Sequence, residues 1–577
     1  MILDLPPGLL LILGAFILPF LRGRVQAAAA VALPVLGLAQ LAALPDGVWG
    51  QVGFLGYELT LVRVDALSRA FGYVFYLVAV LSALYAFHVR DTTQHVAGMV
   101  YAGAAVAALF AGDLITLFVY WELTALSSVF LIWARKSERS YRAGLRYLVI
   151  QVGSGVLLLA GVLLHSGVPP TGGSGSIAFG KLVAEDGTLA SSGAGAVLIF
   201  LAFGIKCAFP FLHNWLQDAY PEATVTGTVF LSAFTTKLAV YALARGFPGT
   251  TILIAIGVAM TLFPIFYAVI ENDMRRVLAY SLNNQLGFMV VGIGVGTAMS
   301  LNGTVAHAFC HILYKALLFM SMGAVLYRAG TIKASEIGGL YRSMPLTAIF
   351  CMVGAASISA FPLFSGFVSK GLIIASVADG HMTLVWLLLL VASAGVMEHS
   401  GIKIPFFSFF GHDSGIRCKE APWNMLAAMG ITAALCVILG CFPGPLYDLL
   451  PNAMEPYQPY TADHVITQFQ LLLFAALAFG VLIRYRLYPL EVPSVNLDFD
   501  WVYRKLAPSL GGAVAGVGAR AWKGLLGAAR SALDRVVGGA YRLHGPEGYF
   551  ARTWTTGQIA FFAALMLGAY LILYLFW

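Results

Sequence analysis

Charged side chains lie inside long apolar stretches of this sequence, where an ordinary membrane helix has none. Glu122, Lys206 and Lys237 each occur in such a run, without another charge close by in sequence. A charge at mid-bilayer costs at least ~2.5–3.5 kcal/mol on insertion scales, so such residues usually face a wet or protein-lined interior. Buried lysines tend to release a proton and buried carboxylates tend to keep one. These residue types therefore indicate proton transfer.

A second set of titratable residues follows. His307, His311 and Lys315 are spaced four residues apart, which places them on one face of a helix. Histidine titrates near neutral pH, so this face is suited to relaying protons. We expect no metal here, because the lysine would repel the ion and no carboxylate completes the ligand set. The alternative is a pair of hydrogen-bonded core histidines.

Two lysines lie beside sequences that interrupt a helix. Pro210 follows Lys206 by four residues, and Pro362 and Gly366 precede Lys370. Proline opens the hydrogen-bond ladder of a helix, and a charge next to a broken span is a recurring device in transporters. Two such segments predict an internal repeat, commonly an inverted one.

The remaining charges leave alternatives open. Glu398, His399 and Lys403 occupy a later apolar segment, where they either extend the polar axis or lie near a membrane surface. For Glu122 the alternative to a functional role is a structural hydrogen-bonded glutamate. For Lys206 it is a lysine that extends its head group to the membrane surface.

The composition places these charges in a membrane protein. Of the 577 residues, 60% are hydrophobic and 11% are charged, and the mean hydropathy is +0.84. A soluble protein carries about 25% charged residues, so the apolar excess here must face lipid. We attribute the net charge of +7 to cytoplasmic loops and expect no nucleic-acid partner.

About 20 apolar residues are needed for one helix to cross the bilayer. This rule predicts an all-α polytopic bundle of about 14–16 spans. The run from Met1 to Leu21 is interpreted as the first span, because it lacks the basic region and the cleavage site of a signal peptide. The candidate segments lie near 5–22, 25–44, 65–88, 96–111, 113–134, 145–166, 193–213, 225–245, 250–270, 276–297, 301–327, 345–379, 382–409, 424–447, 464–484 and 555–577.

Loop charges predict the orientation, because basic residues collect on the cytoplasmic side. Every second loop is basic, and the opposite loops contain little more than Arg63, Lys181 and Arg245. We therefore predict a bacterial inner-membrane protein with both termini on the external face. The basic loops contain Arg22, Arg24, Arg90, Arg135, Lys136, Arg139, Arg142, Arg275, Arg276, Arg328, Lys333, Arg342, Arg417 and Lys419.

Two segments outside the spans differ in character. The stretch from Ser166 to Gly193 is rich in glycine and serine and is predicted to be an external loop. Between 488 and 551, basic and apolar residues recur on separate helical faces, as in a helix that lies along the membrane surface. Its many glycines favour the alternative of a poorly ordered linker.

We predict five parts for the chain. These are N-terminal spans (1–94), a first half-channel repeat (95–247), a second half-channel repeat (248–410), C-terminal spans (411–487), and an amphipathic lateral segment with a final span (488–577). The six cysteines are scattered and form no CxxC pair, so no iron–sulfur, zinc or haem site is predicted and no cofactor is expected.

Over roughly residues 95–445 the sequence resembles the antiporter-like subunits shared by respiratory complex I and Mrp-type sodium/proton antiporters. Glu122 in Trp-Glu-Leu resembles the buried glutamate of the family's fifth span. Lys206 with Pro210 and His213-x-Trp-Leu-x-Asp-Ala resembles the lysine of the broken seventh span.

Further motifs extend the resemblance. Lys237 matches the bridging lysine of the eighth span, and the sequence from Asp273 to Ser281 is similar to the family's Asp-x-Lys/Arg-Arg-x-x-Ala-Tyr-Ser signature. Three residues match the central-axis His and Lys positions, and another matches the terminal charge of the broken twelfth span. These are His307, His311 and Lys315, and Lys370.

Within the family the chain is most similar to the Mrp D-type subunit. Two features depart from that pattern. Ala223 is followed directly by Thr224, where the family often has Ala-Pro-Thr, and the tail after Tyr488 is longer than the D-type protein needs. The tail resembles the lateral helix and last span of the longest complex I subunit.

The resemblance implies a proton-conducting subunit of a Na⁺/H⁺ antiporter, with hydrophobic partner subunits, protons, Na⁺ and membrane lipids as its partners. The chain itself is then part of a transporter and not an enzyme. The alternatives are a proton-pumping subunit of a redox complex, such as complex I or a membrane-bound hydrogenase, and an energising subunit for uptake of inorganic carbon.

The resemblance also implies two half-channels. One surrounds Glu122 and Lys206, with Lys237 leading inward, and the other surrounds Lys370, reached through the histidines and Lys315. A Glu–Lys pair keeps both groups charged, and separating the pair leaves a buried lysine that prefers to lose its proton.

Overall fold

The computed structural model describes residues 5–167, 176–489, 491–493 and 496–577. The chain forms two compact units, Met1–Asn496 and Leu497–Trp577. Eleven helices among the described residues are long and apolar enough to cross a membrane. The predicted polytopic all-α bundle is therefore confirmed. Part of the predicted external loop, residues 168–175, lies outside the described residues.

The first half of the larger unit contains helices and one β-hairpin. The helices are α1 Leu9–Ala15, α2 Gly23–Ala43, α3 Ala66–Tyr85, α4 Thr92–Leu109, α5 Leu114–Trp133, α6 Glu138–Ser166, α7 Gly193–Lys206, α8 Asn214–Ala219, α9 Gly227–Ala233, α10 Thr235–Gly246 and α11 Ile252–Ile270. The strands are β1 Gly47–Phe54 and β2 Tyr57–Val64.

In the second half of this unit, the regular secondary-structure elements of the described residues are all helices. Its α-helices are α12 Met274–Val295, α13 Ala298–Ala329, α14 Pro345–Ile358, α15 Ser365–Asp379, α16 Thr383–Val396, α17 Lys403–Pro405, α18 Trp423–Cys441, α19 Gly444–Tyr447 and α20 Ala462–Arg484. Two π-helical segments, Met397–Ile402 and Phe406–Phe410, flank α17, so the span that begins with α16 continues to Phe410.

Helix α13 is the centre of the larger unit. It runs unbroken from Ala298 to Ala329 and packs against α3, α9, α12, α14, α15 and α18. Helix α12 beside it is not apolar enough to count as a span by composition, since it contains Asn283, Asn284 and Gln285. These three side chains are buried, so helix–helix packing shields them from lipid.

Two predicted spans are broken in the same way. Helix α7 ends at Lys206, and the following Ala-Phe-Pro-Phe has positive φ at Ala208 and Phe211. Helix α14 ends at Ile358, and Ala-Phe-Pro-Leu has positive φ at Ala360 and Leu363. The two breaks thus share sequence and backbone form. The inverted relation between the halves and the boundaries of the five parts stay predictions.

The expected role of Gly366 was wrong. This glycine does not interrupt the span but lies in the first turn of α15. A Cβ atom there would overlap the Ser357 carbonyl oxygen, so the glycine lets α15 approach the end of α14 closely. The break itself comes from the sequence around Pro362.

The β-hairpin was not predicted. Its strands pair in antiparallel register, from Gly47 opposite Val64 to Phe54 opposite Tyr57. The two-residue turn, Leu55 and Gly56, has positive φ at both positions, as the favoured tight hairpin turn requires. The alternating polar and apolar residues from Tyr57 to Val64 were the available sequence signal.

The smaller unit contains α21 Ala507–His544 and α22 Thr556–Leu575. The predicted amphipathic helix therefore forms over 38 residues, despite its glycines, and none of its residues is buried. Helix α22 is apolar and long enough to span a bilayer, as predicted for the final segment.

An ion pair ties the hairpin to the bundle. Asp65 caps α3 by accepting the Ser68 N–H, and it also pairs with Arg245 of α10 at 2.7 and 2.8 Å. Burial alone would raise the pKa of Asp65, but the hydrogen bonds and charge of Arg245 lower this pKa to about 2. The pair therefore stabilises the fold above the ordinary carboxyl pKa of 3.8, and this contribution is lost as the pH falls towards 2.

Replacing Asp65 tests the two roles separately. Asp65→Asn keeps a capping oxygen and loses the ion pair, whereas Asp65→Ala loses both. We expect both variants to unfold at lower temperature than the wild type, with Ala about 1 kcal/mol less stable than Asn. Thermal unfolding of the purified chain measures this, and equal stability of the two variants would contradict the capping role.

Candidate functional site

Lys206 is the last residue of α7, and its side chain is fully buried. The Nζ atom donates to the Trp121 carbonyl oxygen at 2.6 Å and to Thr124 Oγ1 at 3.0 Å, and lies 4.3 Å from the centroid of the Trp121 ring. The lysine head group is therefore held by a carbonyl, a hydroxyl and an aromatic face of α5.

Glu122 of α5 is half-buried and lies against α6. Its Oε1 atom is buried and has no hydrogen-bond partner among the described residues. A Cβ atom on Gly155 would overlap this oxygen, so the glycine makes room for the carboxylate. Glu122 and Lys206 interact electrostatically, but no ion pair within 4.0 Å joins them in the described chain. The predicted Glu–Lys pair is thus adjacent but open.

Lys237 lies beside a second kind of interruption. Helix α9 ends at Ala233 and α10 begins at Thr235, so the span is interrupted at Phe234. The Lys237 Nζ atom donates to the Ser232 carbonyl oxygen at 2.5 Å. Lys237 also acts electrostatically on His311, so it connects the first lysine region with α13.

The three predicted residues of α13 are fully buried but differ in their partners. His307 contacts Ser369 Oγ at 3.1 Å and Gln285 Oε1 at 3.2 Å. The Lys315 Nζ atom donates to Ser281 Oγ at 2.8 Å. Their contacts therefore join α13 to α12 and α15.

His311 is different from its neighbours. Neither ring nitrogen has a hydrogen-bond partner among the described residues. The ring stacks on His307, with 6.1 Å between centroids, and packs edge-on against Tyr314. A buried imidazole without partners is costly when dry, so this position is suited to water.

Lys370 lies in α15, beyond the second break. Its Nζ atom donates to the Ile358 carbonyl oxygen, 3.1 Å away at the end of α14, and lies 5.0 Å from the Phe288 ring centroid. Like Lys206, it is fully buried beside a broken helix and is held by a backbone carbonyl and an aromatic face. The two lysines therefore share a carbonyl acceptor and an aromatic face, whereas among the described residues the interaction with a glutamate is recorded for Lys206 and not for Lys370.

The remaining predicted charges, Glu398, His399 and Lys403, lie on the span that continues α16. His399 lies in the π-helical segment and acts electrostatically with Lys315, Lys370 and Lys403. The Nζ atom of Lys403 donates to the carbonyl oxygens of Ala268, Val269 and Glu271 at the end of α11. Glu398 is partly buried, and the Tyr488 side chain lies close to its carboxylate.

Glu491 was missed by the sequence analysis. Its Oε1 atom lies 2.8 Å from Lys403 Nζ, and both side chains are buried. Burial raises the pKa of Glu491, although the charge of Lys403 opposes this rise. No sequence signal could have paired Glu491 with Lys403, because Glu491 lies outside the spans, after α20. Among the described residues, Lys403 thus differs from the other buried lysines, because a carboxylate lies at ion-pair distance from it.

Two polar residues of α12 on this axis could have been predicted from the sequence. Ser281 and Gln285 of α12 contact Lys315 and His307, and the Ser400 hydroxyl donates to Ser281 Oγ at 2.6 Å. Polar residues inside an apolar run are rarely placed towards lipid. The polar face of α12 could therefore have been assigned to the axis.

Further buried polar atoms on these helices lack protein partners within the described residues. They belong to the amides of Gln151 on α6, Asn214 and Gln217 on α8, and Asn283 on α12. Each such group costs about 1–3 kcal/mol if it stays unsatisfied. Water molecules are the usual partners in such places, so the axis is suited to hydration. No group of three or more His, Cys, Asp or Glu residues in the described ranges is placed to hold a metal.

The sequence of this region matches a known family. Residues 111–396 match the family described as "NADH:quinone oxidoreductase/Mrp antiporter, TM". This part of the chain belongs to the NADH:quinone oxidoreductase/Mrp antiporter family. The match includes the axis from Glu122 to Lys370, whereas Glu398, His399, Lys403 and Glu491 lie beyond it.

Three relatives illustrate the range of the family. Hydrogenase-4 component B of Escherichia coli is 28% identical and covers 66% of this chain and 62% of that protein. The A-type and D-type subunits of the Na⁺/H⁺ antiporter of Alkalihalophilus pseudofirmus are 28% and 29% identical, covering 70% and 59% of this chain. The chain spans 55% of that A-type protein and 71% of that D-type protein.

Two solved structures have a similar fold. A chain of the Mrp complex from Dietzia sp. DQ12-45-1b aligns with a TM-score of 0.73 and 25% identity, covering 92% of this chain and 62% of that chain. A chain of the archaeal membrane-bound sulfane sulfur reductase aligns with a TM-score of 0.71 and 21% identity. This second alignment covers 98% of this chain and 100% of that chain.

The packing of Glu122 against Gly155 gives a specific prediction. Gly155→Ala places a methyl group where the carboxylate lies, and the flexible glutamate must move. Gly153→Ala is the matched control, because its Cβ atom meets no neighbour within 4 Å. We expect Gly155→Ala to lower proton transport about tenfold, for which ~1.4 kcal/mol suffices, and Gly153→Ala to transport normally. Equal transport by the two variants in vesicles would show that the position of Glu122 is unimportant.

The Lys403–Glu491 pair predicts a stability effect. Glu491→Gln leaves a buried lysine without its anion, which typically costs about 3–5 kcal/mol. Replacing both residues by methionine removes both charges and should recover much of that loss. Thermal unfolding in detergent measures both variants. A Glu491→Gln variant as stable as the wild type would mean that the pair does not stabilise the fold.

Proposed function

We propose that this chain is the proton-conducting subunit of a multisubunit Na⁺/H⁺ antiporter of the Mrp type, related to its D-type component. The observation that carries the proposal is the axis of buried titratable side chains from Glu122 through Lys206, Lys237 and α13 to Lys370. The family match over the same residues supports this proposal.

The partners of the lysines suit proton transfer. Lys206, Lys237 and Lys370 donate to carbonyl and hydroxyl oxygens, and they have no carboxylate at ion-pair distance within the described residues. A neutral amine retains N–H donors for these acceptors, so losing a proton leaves no unpaired anion behind. A fixed ion pair would instead hold the lysine in its charged form.

Glu122 is the switch in the proposed mechanism. When its carboxylate approaches Lys206, the pair holds both charges. When it moves away, Lys206 favours its neutral form and releases a proton towards Lys237 and His311. Proton uptake and release at Lys370 complete the route. Partner subunits act by moving the carboxylate of Glu122, which is half-buried and therefore within their reach.

The proposed orientation places the chain in a bacterial inner membrane with both termini external. Ion pairs support the grouping of segments on one side, since Arg146–Asp218 and Arg135–Glu222 join segments that are all assigned to the cytoplasmic side. The hydrogen bond from Leu182 to Gly246 joins segments assigned to the external side.

A redox-driven proton pump is the second candidate. It is favoured by the end-to-end alignment with a chain of an archaeal respiratory complex, including the smaller unit. Mass spectrometry of the complex, purified gently from native membranes, separates the two. Hydrophobic subunits alone support the antiporter, and iron–sulfur or flavin subunits in fixed ratio support the pump.

Transport measurements test the proposal. In inverted vesicles that contain the assembled complex, adding Na⁺ should change the internal pH. We expect Lys206→Ala to reduce this exchange at least about tenfold, since even one lost charged hydrogen bond is worth ~1.5–3 kcal/mol. Lys181→Ala, in the external loop, should exchange normally. Full exchange by Lys206→Ala would overturn the proposed route.

A further inference from the structure

A cleft opens where several helices begin or end on one face of the larger unit. It has a volume of about 750 Å³ and lies beside the start of α2, the end of α3 and the start of α18. Loop charges assign this face to the cytoplasm. Its lining residues are Gly23, Arg24, Phe87, His88, Val89, Arg90, Trp423 and Asn424.

The cleft is cationic. Arg24 and Arg90 are exposed, and neither forms an ion pair with a described residue. The nearest acid in sequence is Asp91, which is engaged by the Thr93 N–H at 3.1 Å and by the Gln94 amide at 3.2 Å. His88 is half-buried and contacts the Asn424 side chain at 3.0 Å. Among the described residues, the lining of the cleft therefore contains two arginines without an ion-pair partner and no carboxylate.

Backbone N–H groups add to the positive electrostatic potential of the cleft. Helix α2 begins at Gly23 and α18 begins at Trp423, and neither has a side-chain cap at its first turn. The free N–H groups at helix N-termini favour anions. Their placement beside two unpaired arginines points to a ligand with negative charge and several acceptor oxygens.

The position of the cleft relative to the membrane indicates the source of this ligand. Trp423 is 66% exposed and packs on Phe87, with 5.9 Å between ring centroids. Exposed tryptophan is typical of the boundary between membrane and water. The cleft thus lies at the level of lipid head groups.

An apolar groove lies next to the cleft. It has a volume of about 440 Å³, and its lining includes Pro19 and Thr92, which is two residues after Arg90. Val96, Val100, Leu123 and Leu126 continue it along α4 and α5. A lipid with its phosphate in the cleft could therefore place an acyl chain in this groove.

We propose that the cleft binds the phosphate group of an anionic phospholipid, held by Arg24 and Arg90 and by the free N-termini of α2 and α18. Arginine pairs with phosphate through two parallel hydrogen bonds, and basic pockets between spans on the cytoplasmic side bind such head groups. The site is separate from the proton axis and does not depend on which ion the complex transports.

Lipid-dependent stability of the purified full-length chain tests the proposal. The chain in mild detergent is titrated with phosphatidylglycerol, phosphatidylcholine or inorganic phosphate, and its melting temperature is recorded. A ligand that binds the folded state raises this temperature. We expect phosphatidylglycerol to raise it more than phosphatidylcholine. The R24Q/R90Q variant should need at least about tenfold more phosphatidylglycerol, because it loses the charge-assisted hydrogen bonds from both guanidinium groups to the phosphate.

Two variants serve as controls. R22Q removes a nearby exposed arginine that does not line the cleft, and it should respond as the wild type does. R24K/R90K keeps the charge and should recover part of the response. An arginine-dependent response to inorganic phosphate alone would support the anion site and assign it to free phosphate.

Three results would overturn the proposal. The first is an unchanged phosphatidylglycerol response in R24Q/R90Q. The second is an equal loss in R22Q, which would show that any surface charge attracts the lipid. The third is an equal response to phosphatidylcholine, which would show that the acyl chains alone bind.

Discussion

Lys206 and Lys370 are cations placed inside a membrane protein beside carbonyl oxygens and aromatic rings, and among the described residues no carboxylate lies at ion-pair distance. Burying an unpaired charge is expensive, so the fold must supply acceptors for it. For Lys206 these acceptors come from α5, through the Trp121 carbonyl oxygen and the Thr124 hydroxyl. For Lys370 the second break supplies one, because α14 ends at Ile358 and its carbonyl oxygen accepts from the lysine.

The lysine beyond the two breaks, Lys403, has different partners. Lys403 combines three carbonyl acceptors with the carboxylate of Glu491. A carboxylate at this distance favours the charged form of a lysine. The family match ends before this cluster. In the proposed mechanism, the lysines of the two breaks exchange protons, whereas the Lys403–Glu491 pair has a structural role.

Much of this arrangement could be predicted from the sequence. Isolated charges in apolar runs identified Glu122 and the lysines, and proline placed both breaks, because the cost of a charge or a proline in a membrane helix is local. Long-range pairing was not accessible. Glu491 lies outside the spans, and only folding brings it to Lys403. The helix is also interrupted at Phe234, where no adjacent proline or glycine predicts a break.

Other misses have the same physical origin. The role of Gly155 depends on which side chain lies opposite it, and a sequence does not show that. Helix α12 is not apolar enough to count as a span by composition because hydropathy penalises Asn283, Asn284 and Gln285, although packing buries all three. Hydropathy reports how favourably a residue transfers from water into lipid. The residues that carry the proposed chemistry are buried in protein, so hydropathy does not identify them.

In the proposed mechanism, protons cross the interior of the bundle on titratable groups joined by water. A high-resolution cryo-EM map of the assembled complex in lipid tests this directly. We expect ordered water at the ring nitrogens of His311 and at the buried amides of Gln151 and Asn283, which lack protein partners within the described residues. A dry interior, with these atoms bonded to other side chains and no water between Lys237 and Lys370, would contradict it.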